Sequence, residues 1–282
     1  MSKASSRCIR EIEEEMIGNT GHRVLLVEGT DDVAAFSVWM TKSFGAEWEN
    51  KWVVAEAGKK SLVLEILQEK PHWLGVIDRD EWSSDRIAEL EAGQENLWVL
   101  PRYCIENYLI VPEELWQALP PIQQSKVQGG FHVFKELLTD DLTRWIKHGA
   151  LWSVVNPLWE GLRSLGFKEA LLSPDIVTDD AAVQQKLTEW HDFLEPVDIF
   201  NNYQQRLQEA QSLEVAEQLS RFVHGKKFYD TVVNSVLNDF LGQERAARRQ
   251  TDIINSLLVP DDLHPLWEKM ELASRESTES RD

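Results

Sequence analysis

Five acidic residues fall where apolar runs end. Glu28 follows RVLLV (23–27), Asp78 and Asp80 follow HWLGVI (72–77), and Glu106 comes shortly after NLWVL (96–100). Asp32 stands one helical turn beyond Glu28. Taken singly, each has an ordinary role. Asp31 and Asp32 suit a helix start, where an acid caps free N–H groups and meets the positive end of the dipole. Asp80 can open the turn EWSSD. Taken together they point elsewhere, because in a parallel sheet all strand ends project from one carboxyl edge, where open α/β sheets place their sites. Asp78 and Asp80 are two apart, so an extended chain aims both the same way and Arg79 the other. Two unpaired carboxylates about 4 Å apart repel by roughly 4 kcal/mol at an effective dielectric near 20. Such a cluster requires counter-charge. Oxygen ligands without histidine or cysteine select a hard cation, Mg²⁺ or Mn²⁺.

The elements that must position these acids are read from the apolar periodicity. RCIREIEEEMIG (7–18) reads as a short helix ending at Gly18. Runs at 23–27, 51–57, 72–77 and 96–100 are apolar at nearly every position, and helical patterns separate them over 31–44, 60–69 and, as an exposed helix, 84–92. Strands of that texture indicate a parallel sheet covered on both faces. Beyond Pro112 the pattern changes. LPPIQQSKVQGG (119–130) reads as a connection, and the chain past it is helical, most clearly over 131–149, 181–195, 214–225 and 227–242. The expected organisation is an N-terminal helix (1–20), an α/β domain (21–118), a mainly helical C-terminal region (119–271) and a disordered tail (272–282).

The 282 residues are 43% hydrophobic and 27% charged, the composition of a folded globular chain, and twelve tryptophans imply a well-developed core with some left for an interface. No apolar run approaches the roughly 20 residues that span a bilayer. The opening MSKASSRCIREIEEEM lacks the apolar segment of a signal peptide, so a cytoplasmic protein without membrane attachment is expected. Cys8 and Cys104 form neither a disulfide framework nor a metal spacing. The net charge is −19, with 12 Lys/Arg against 20 Asp/Glu in residues 1–110 and 17 against 28 in the remainder. Broad cationic binding of nucleic acid is excluded, and any polyanion must be met by a local basic patch, divalent cations or a partner.

VEGTDD followed by VIDRD resembles a Toprim domain, the catalytic fold shared by primases, topoisomerases and small nucleases. With Asp32 four residues after Glu28, and RYCIENYL after the fourth strand, the chain resembles the OLD-type Toprim nucleases. More closely, it resembles the stand-alone OLD-like Toprim proteins of bacteria, in which an EG-x-x-D motif accompanies an IENYL-like segment and a later Gly-Lys. The resemblance covers residues 22–115 and extends weakly to HGKKF (224–228). It implies a Toprim-like sheet and a nuclease acting on DNA or RNA, tRNA included. Some such proteins are effectors beside an ABC-type ATPase in phage defence, which makes an ATPase partner the expectation here. It further implies that Glu28 is the principal acid, bound to metal or acting as base, and that Asp32, Asp78, Asp80 and Glu106 complete one or two metal sites. Lys226 is the candidate for stabilising the transition state, beside the plainer reading of a solvated lysine after a helix end.

Other signals carry less. AGKKS (57–61) is not a phosphate loop, since Val53 stands where a glycine is needed and Lys60 where Ser or Thr belongs; Lys59 or Lys60 can instead line the site and meet phosphate. Trp145, Trp190 and Phe222 read as core; RAARR (245–249), the most basic short run, reads first as a solvated helix face and otherwise as a contact for nucleic acid or an acidic partner surface. Nothing resembles the tyrosine-bearing domain of a topoisomerase or the zinc segment of a primase. The second reading is a non-catalytic Toprim-fold regulatory or assembly subunit of a larger complex. Self-association is compatible with either.

Overall fold

The computed structural model describes residues 2–168 and 179–279. The chain forms a four-stranded, all-parallel sheet flanked by helices, followed by a helical C-terminal region. The strands are β1 (Arg23–Val27), β2 (Trp52–Glu56), β3 (Leu74–Ile77) and β4 (Leu97–Val99), in the order β2-β1-β3-β4. Among them lie α1 (Lys3–Glu11), α2 (Thr30–Phe44), α3 (Lys60–Glu69) and α4 (Ser84–Gly93). A 3₁₀ turn at Ile105–Tyr108 leads to α5 (Pro112–Ala118), α6 (Pro121–Gln124) and α7 (Gly130–Thr139). Next come α8 (Leu142–Val155), α9 (Leu158–Ser164), α10 (Asp180–Phe193), α11 (Pro196–Gln211) and α12 (Val215–Arg221). The chain ends with α13 (Gly225–Phe228), α14 (Asn234–Leu241), α15 (Ala246–Ser256) and α16 (His264–Glu279).

β1 is central because its last four residues have nothing polar to expose. Val24, Leu25, Leu26 and Val27 are fully buried, and β1 pairs with β2 on one side and β3 on the other. Alternation sends Val24 and Leu26 into a layer with Ile9 and Ile12, with Leu62, Val63 and Ile66 of α3, and with Trp73, Ile77 and Val99. The other face is aromatic. Phe36 and Trp39 of α2 meet edge to face at 5.6 Å, Trp39 meets Tyr108 at 5.1 Å, and Phe36 meets Trp267 of α16 at 6.3 Å. Burying rings of this size dominates the packing energy, and the edge-to-face contacts add about 0.5–1.5 kcal/mol each.

The helical C-terminal region does not fold as one body. Residues 1–140 and 219–282 form one compact unit and residues 141–218 another, whereas the sequence pattern places a boundary near 118. Residues 131–149, continuous by periodicity, divide between α7 and α8. The connection at 119–130 contains α6, whose proline at the first turn removes only an N–H that a helix start leaves unpaired. Within the second unit Trp190 is buried as expected, its indole donating to the Leu165 carbonyl and its ring edge-on to Phe167. In the first unit Phe222 is likewise buried. Arg249 departs from the solvated face expected of RAARR: it is buried, donating to Asn238 Oδ1 and the Gly242 carbonyl, while Arg248 stays exposed. The stretch expected as a disordered tail from residue 272 continues α16 to Glu279, held by the Trp52 indole on Ser274 Oγ and by Glu271 with Arg275 one turn on; residues 280–282 lie outside the described residues. The N-terminal helix stops at Gly18 (φ +51°) as expected, after a π-helical turn at Ile12–Ile17.

Arg102 ties the first unit together at one buried point. Its guanidinium makes two parallel bonds to Glu114 (2.7 and 2.8 Å), one to Asp262 (2.8 Å) and one to the Asn107 carbonyl (3.3 Å), and lies over the Tyr108 ring. Burial works against the charge, but Glu114, Tyr108 and Asp262 outweigh it. Arg102→Ala should therefore lose about 2–4 kcal/mol in urea unfolding, somewhat below a fully enclosed pair because both carboxylates are part-exposed. Arg102→Lys should recover little of it, since an ammonium cannot span both Glu114 oxygens.

Candidate functional site

The strand order makes the site's position. From β1 the chain moves outward to β2, then crosses back to β3 on the other side, so the crevice beyond the carboxyl ends of β1 and β3 is a switch point of the sheet. Glu28 and Asp78 are the first residues past those two strands. They are joined directly: Glu28 Oε1 accepts the Asp78 N–H at 2.8 Å. On its other side Glu28 is fixed by backbone pairing that outlasts the strands, with Gly58 N–H donating to the Glu28 carbonyl at 2.8 Å.

Asp32 enters from the first turn of α2, where its carboxylate accepts the Gly29 N–H at 2.9 Å. The capping role and the site role thus coexist in one side chain. Asp80 sits in the left-handed region (φ +50°), uncommon for a residue with a side chain, and its N–H donates to the Tyr103 carbonyl. Its carboxylate meets Lys60 Nζ at 2.6 Å, and the same ammonium donates to the Asp78 carbonyl at 2.6 Å. Of the two lysines in AGKKS, Lys60 is the one at the cluster, lying over the Trp82 ring 4.2 Å from its centroid.

Glu106 and Lys226 come from segments far apart in sequence. Glu106 is buried within the 3₁₀ turn, and the Asn107 amide anchors that turn to the returning chain by donating to the carbonyls of Leu219 (2.6 Å) and Val223 (2.9 Å). Gly225 is required at the contact. A Cβ there would lie 2.2 Å from Asn107 Oδ1 and 2.9 Å from Cys104 Sγ, so only glycine lets α13 close on the turn. Lys226 comes next, with Nζ 3.9 Å from Glu106 Oε1. Glu106 Oε2 is buried without a hydrogen-bond partner.

The acids act on one another. Burial first, then Asp32, Glu28, Asp80 and Glu106, push the Asp78 carboxyl well above the ordinary carboxylate range. Burial raises Asp32 to about 6, with Glu106 adding to it and the Gly29 N–H and Lys226 opposing. Burial likewise raises Glu28 against the pull of Lys60 and the Asp78 N–H. Burial disfavours the Lys226 ammonium, but Glu106, Cys104, Asp78 and Asp32 together outweigh it and lift its pKa. The structure therefore brings these six residues to one edge together with Lys60, one of the two lysines the sequence offered there, and adds the scaffold residue Asn107. Asn107 carries no signal of its own beyond its place in IENYL, because its partners lie more than a hundred residues away.

The donor set suits a hard divalent cation: carboxylate oxygens only, one of them buried and unpartnered. As the side chains stand, however, no three His, Cys, Asp or Glu among the described residues are grouped so as to hold a metal ion. Asp32 is turned to its helix cap and Asp80 to Lys60. The chemistry fits and the present arrangement is not closed on an ion. A pocket of about 460 Å³ lined by Trp48, Trp52 and Met270 adjoins the start of β2 and contains none of these acids. Comparison with family models, curated proteins and solved structures finds no match to this chain.

The sign of the Asp32 shift gives a prediction. A carboxyl whose folded pKa is about 6, above its unfolded value, lends stability that is complete below the unfolded pKa and lost as pH rises through 6. Asp32→Asn keeps an oxygen for the Gly29 N–H and removes the titration. In EDTA the variant should be more stable than wild type by about 2 kcal/mol at pH 8, and the gap should close by pH 4. Urea unfolding at both pH values measures it; a gap of the same size at pH 4 would contradict the assignment.

Proposed function

We propose that this protein is a metal-dependent phosphodiesterase of the Toprim nuclease type, cleaving DNA or RNA, and that it serves as the effector of an anti-phage system held in check by a partner ATPase. The observation that carries the catalytic part is the convergence of Glu28, Asp32, Asp78 and Glu106 at the β1/β3 switch point with Glu106 Oε2 left unpartnered. The ATPase rests on the sequence resemblance alone.

Glu28, Asp32, Asp78, Asp80 and Glu106 would hold Mg²⁺ or Mn²⁺. Bound there, the ion supplies a lowered pKa for water and Lewis-acid neutralisation of phosphate charge. The chain's own groups supply the rest. Glu28 commits Oε1 to the Asp78 N–H, which orients the carboxylate and leaves Oε2 to accept a proton from the attacking water. A carboxyl whose pKa burial has raised is a stronger base once ionised than an exposed one. Lys226 is 58% exposed at its side chain, so its ammonium can swing from Glu106 to a phosphate oxygen while staying charged. With a net charge of −19, the isolated chain should bind nucleic acid weakly and in a salt-sensitive way.

A second reading, the non-catalytic assembly subunit, draws on the engagement of Asp32 and Asp80 with other groups and the lack of a closed three-donor set among the described residues. One experiment separates the two. Wild type and Glu28→Ala are incubated with plasmid DNA and with total RNA including tRNA, in Mg²⁺, Mn²⁺ or EDTA, with and without the ATPase if one is recovered bound. Metal-dependent cleavage by wild type, reduced about 100-fold or more in Glu28→Ala, is expected. Equal activity in the two proteins would sink the nuclease reading. So would inactivity of both together with undiminished Mn²⁺ binding by Glu28→Ala.

A further inference from the structure

We infer that Lys60 is the resting counter-cation of the acid cluster: its ammonium stands where a divalent cation takes Asp80, and metal binding works by displacing it. The inference rests on the reading of these acids as metal ligands and deepens it, making Lys60 a positioning residue that sets the affinity and order of metal binding.

Lys60 Nζ holds one carboxylate oxygen, Asp80 Oδ2, and one backbone carbonyl, that of Asp78, both at 2.6 Å. A carboxylate and a carbonyl are also the ligands a hard cation chooses. The ammonium is closed in from the other side by the Trp82 ring, and the side chain is only 16% exposed. Lys226 differs: it is 58% exposed, stands 3.9 Å from Glu106 and leaves Glu106 Oε2 bare. The cluster thus has one enclosed cation and one loose one. Asp80 cannot swing freely toward Glu28, because its backbone is pinned to Tyr103 at φ +50° and its carboxylate is held by Lys60. This is why the acids converge electrostatically while no three are grouped to hold an ion among the described residues. The buried, unpartnered Glu106 oxygen marks the same cluster as short of a ligand on its far side.

An ammonium and a divalent cation cannot both touch Asp80 without strong like-charge repulsion, so the two exchange. The Lys60 released by that exchange is then a donor at the carboxyl edge for a phosphate oxygen. Before the exchange it is tied down. Metal would therefore prepare the phosphate-binding group as well as the water.

The test measures metal binding and lysine reactivity instead of cleavage. Mn²⁺ is titrated, by electron paramagnetic resonance or calorimetry, into wild type, Lys60→Met and Trp82→Leu, each checked for folding by circular dichroism. Lys60→Met should bind Mn²⁺ about tenfold tighter or more, and Trp82→Leu, which loosens the ammonium's enclosure, should shift the same way by less. In unmodified protein, acylation of Lys60 followed by mass spectrometry should rise several-fold when Mn²⁺ saturates the site. If Lys60→Met does not fold, Trp82→Leu and the acylation of wild type decide the matter. Mn²⁺ binding that is unchanged or weaker in the variants, with Lys60 no more reactive in metal, overturns the inference and leaves the metal site standing. Absence of Mn²⁺ binding by all three proteins removes the metal site and the role of Lys60 together.

Discussion

The buried amide of Asn107 fixes how the site closes. Its oxygen accepts the N–H and the S–H of Cys104, and its nitrogen donates to the carbonyls of Leu219 and Val223, so all its hydrogen-bonding capacity is met inside the protein. Removing the side chain would take one hydrogen bond from each of two buried residues' carbonyls, at about 0.5–1.5 kcal/mol per bond. A bond network of this kind has one satisfied arrangement, which is how it specifies geometry as well as stability. It holds the turn that carries Glu106 against the chain that carries Lys226, and Gly225 is the residue small enough to let the two meet.

Gathering acids at one edge creates a repulsion that the fold relieves in three ways. Burial and neighbouring acids raise the Asp78, Asp32 and Glu28 carboxyls, so each holds its proton more tightly than an exposed acid does. Two lysines stand among them, one enclosed and one loose. Backbone N–H groups aim at the carboxylates as well: Asp78 N–H at Glu28 and Gly29 N–H at Asp32. Each device uses a group that could be released. Protons leave, lysines swing and a cap can open, whereas an apolar replacement for the same volume would be permanent. That reversibility is what the proposed cation site would need, and it distinguishes this edge from the ion-pair network around Arg102.

The α/β frame was legible because a doubly covered parallel sheet leaves a local mark. β1 is buried at four of five residues, and its apolar run ends where the strand ends. The acids could be placed at one edge for the same reason, since strand direction is dictated by the helical crossovers. What the chain did not disclose is long-range. Lys60 and Lys59 look alike in AGKKS; only the first turn of α3 decides which reaches Asp80. The return of residues 219–282 to the sheet unit leaves no signature, because a helix packed on a sheet and one packed on other helices share the same period. RAARR misleads for a related reason: Arg249 is buried by polar partners in α14 and its C-terminal turn, and periodicity counts arginine as solvent-facing.

The turn at residues 102–108 shows how scaffold and chemistry can share one short segment. Arg102, Cys104, Asn107 and Tyr108 face inward to ion pairs, amide and aromatic ring, and all are buried. Tyr103 lies tilted against the His224 ring, 5.4 Å between centroids, and donates its hydroxyl to Glu81, while its carbonyl holds the backbone of Asp80 in its left-handed conformation. Glu106 is the one carboxylate of the segment, and its turn is held by the bonds of Arg102, Cys104 and Asn107. An acid so placed cannot relax toward water or toward a new partner by moving its backbone. The unsatisfied oxygen is therefore kept in position by the satisfied groups around it, which is the condition for a carboxylate to await a ligand instead of collapsing onto the nearest donor.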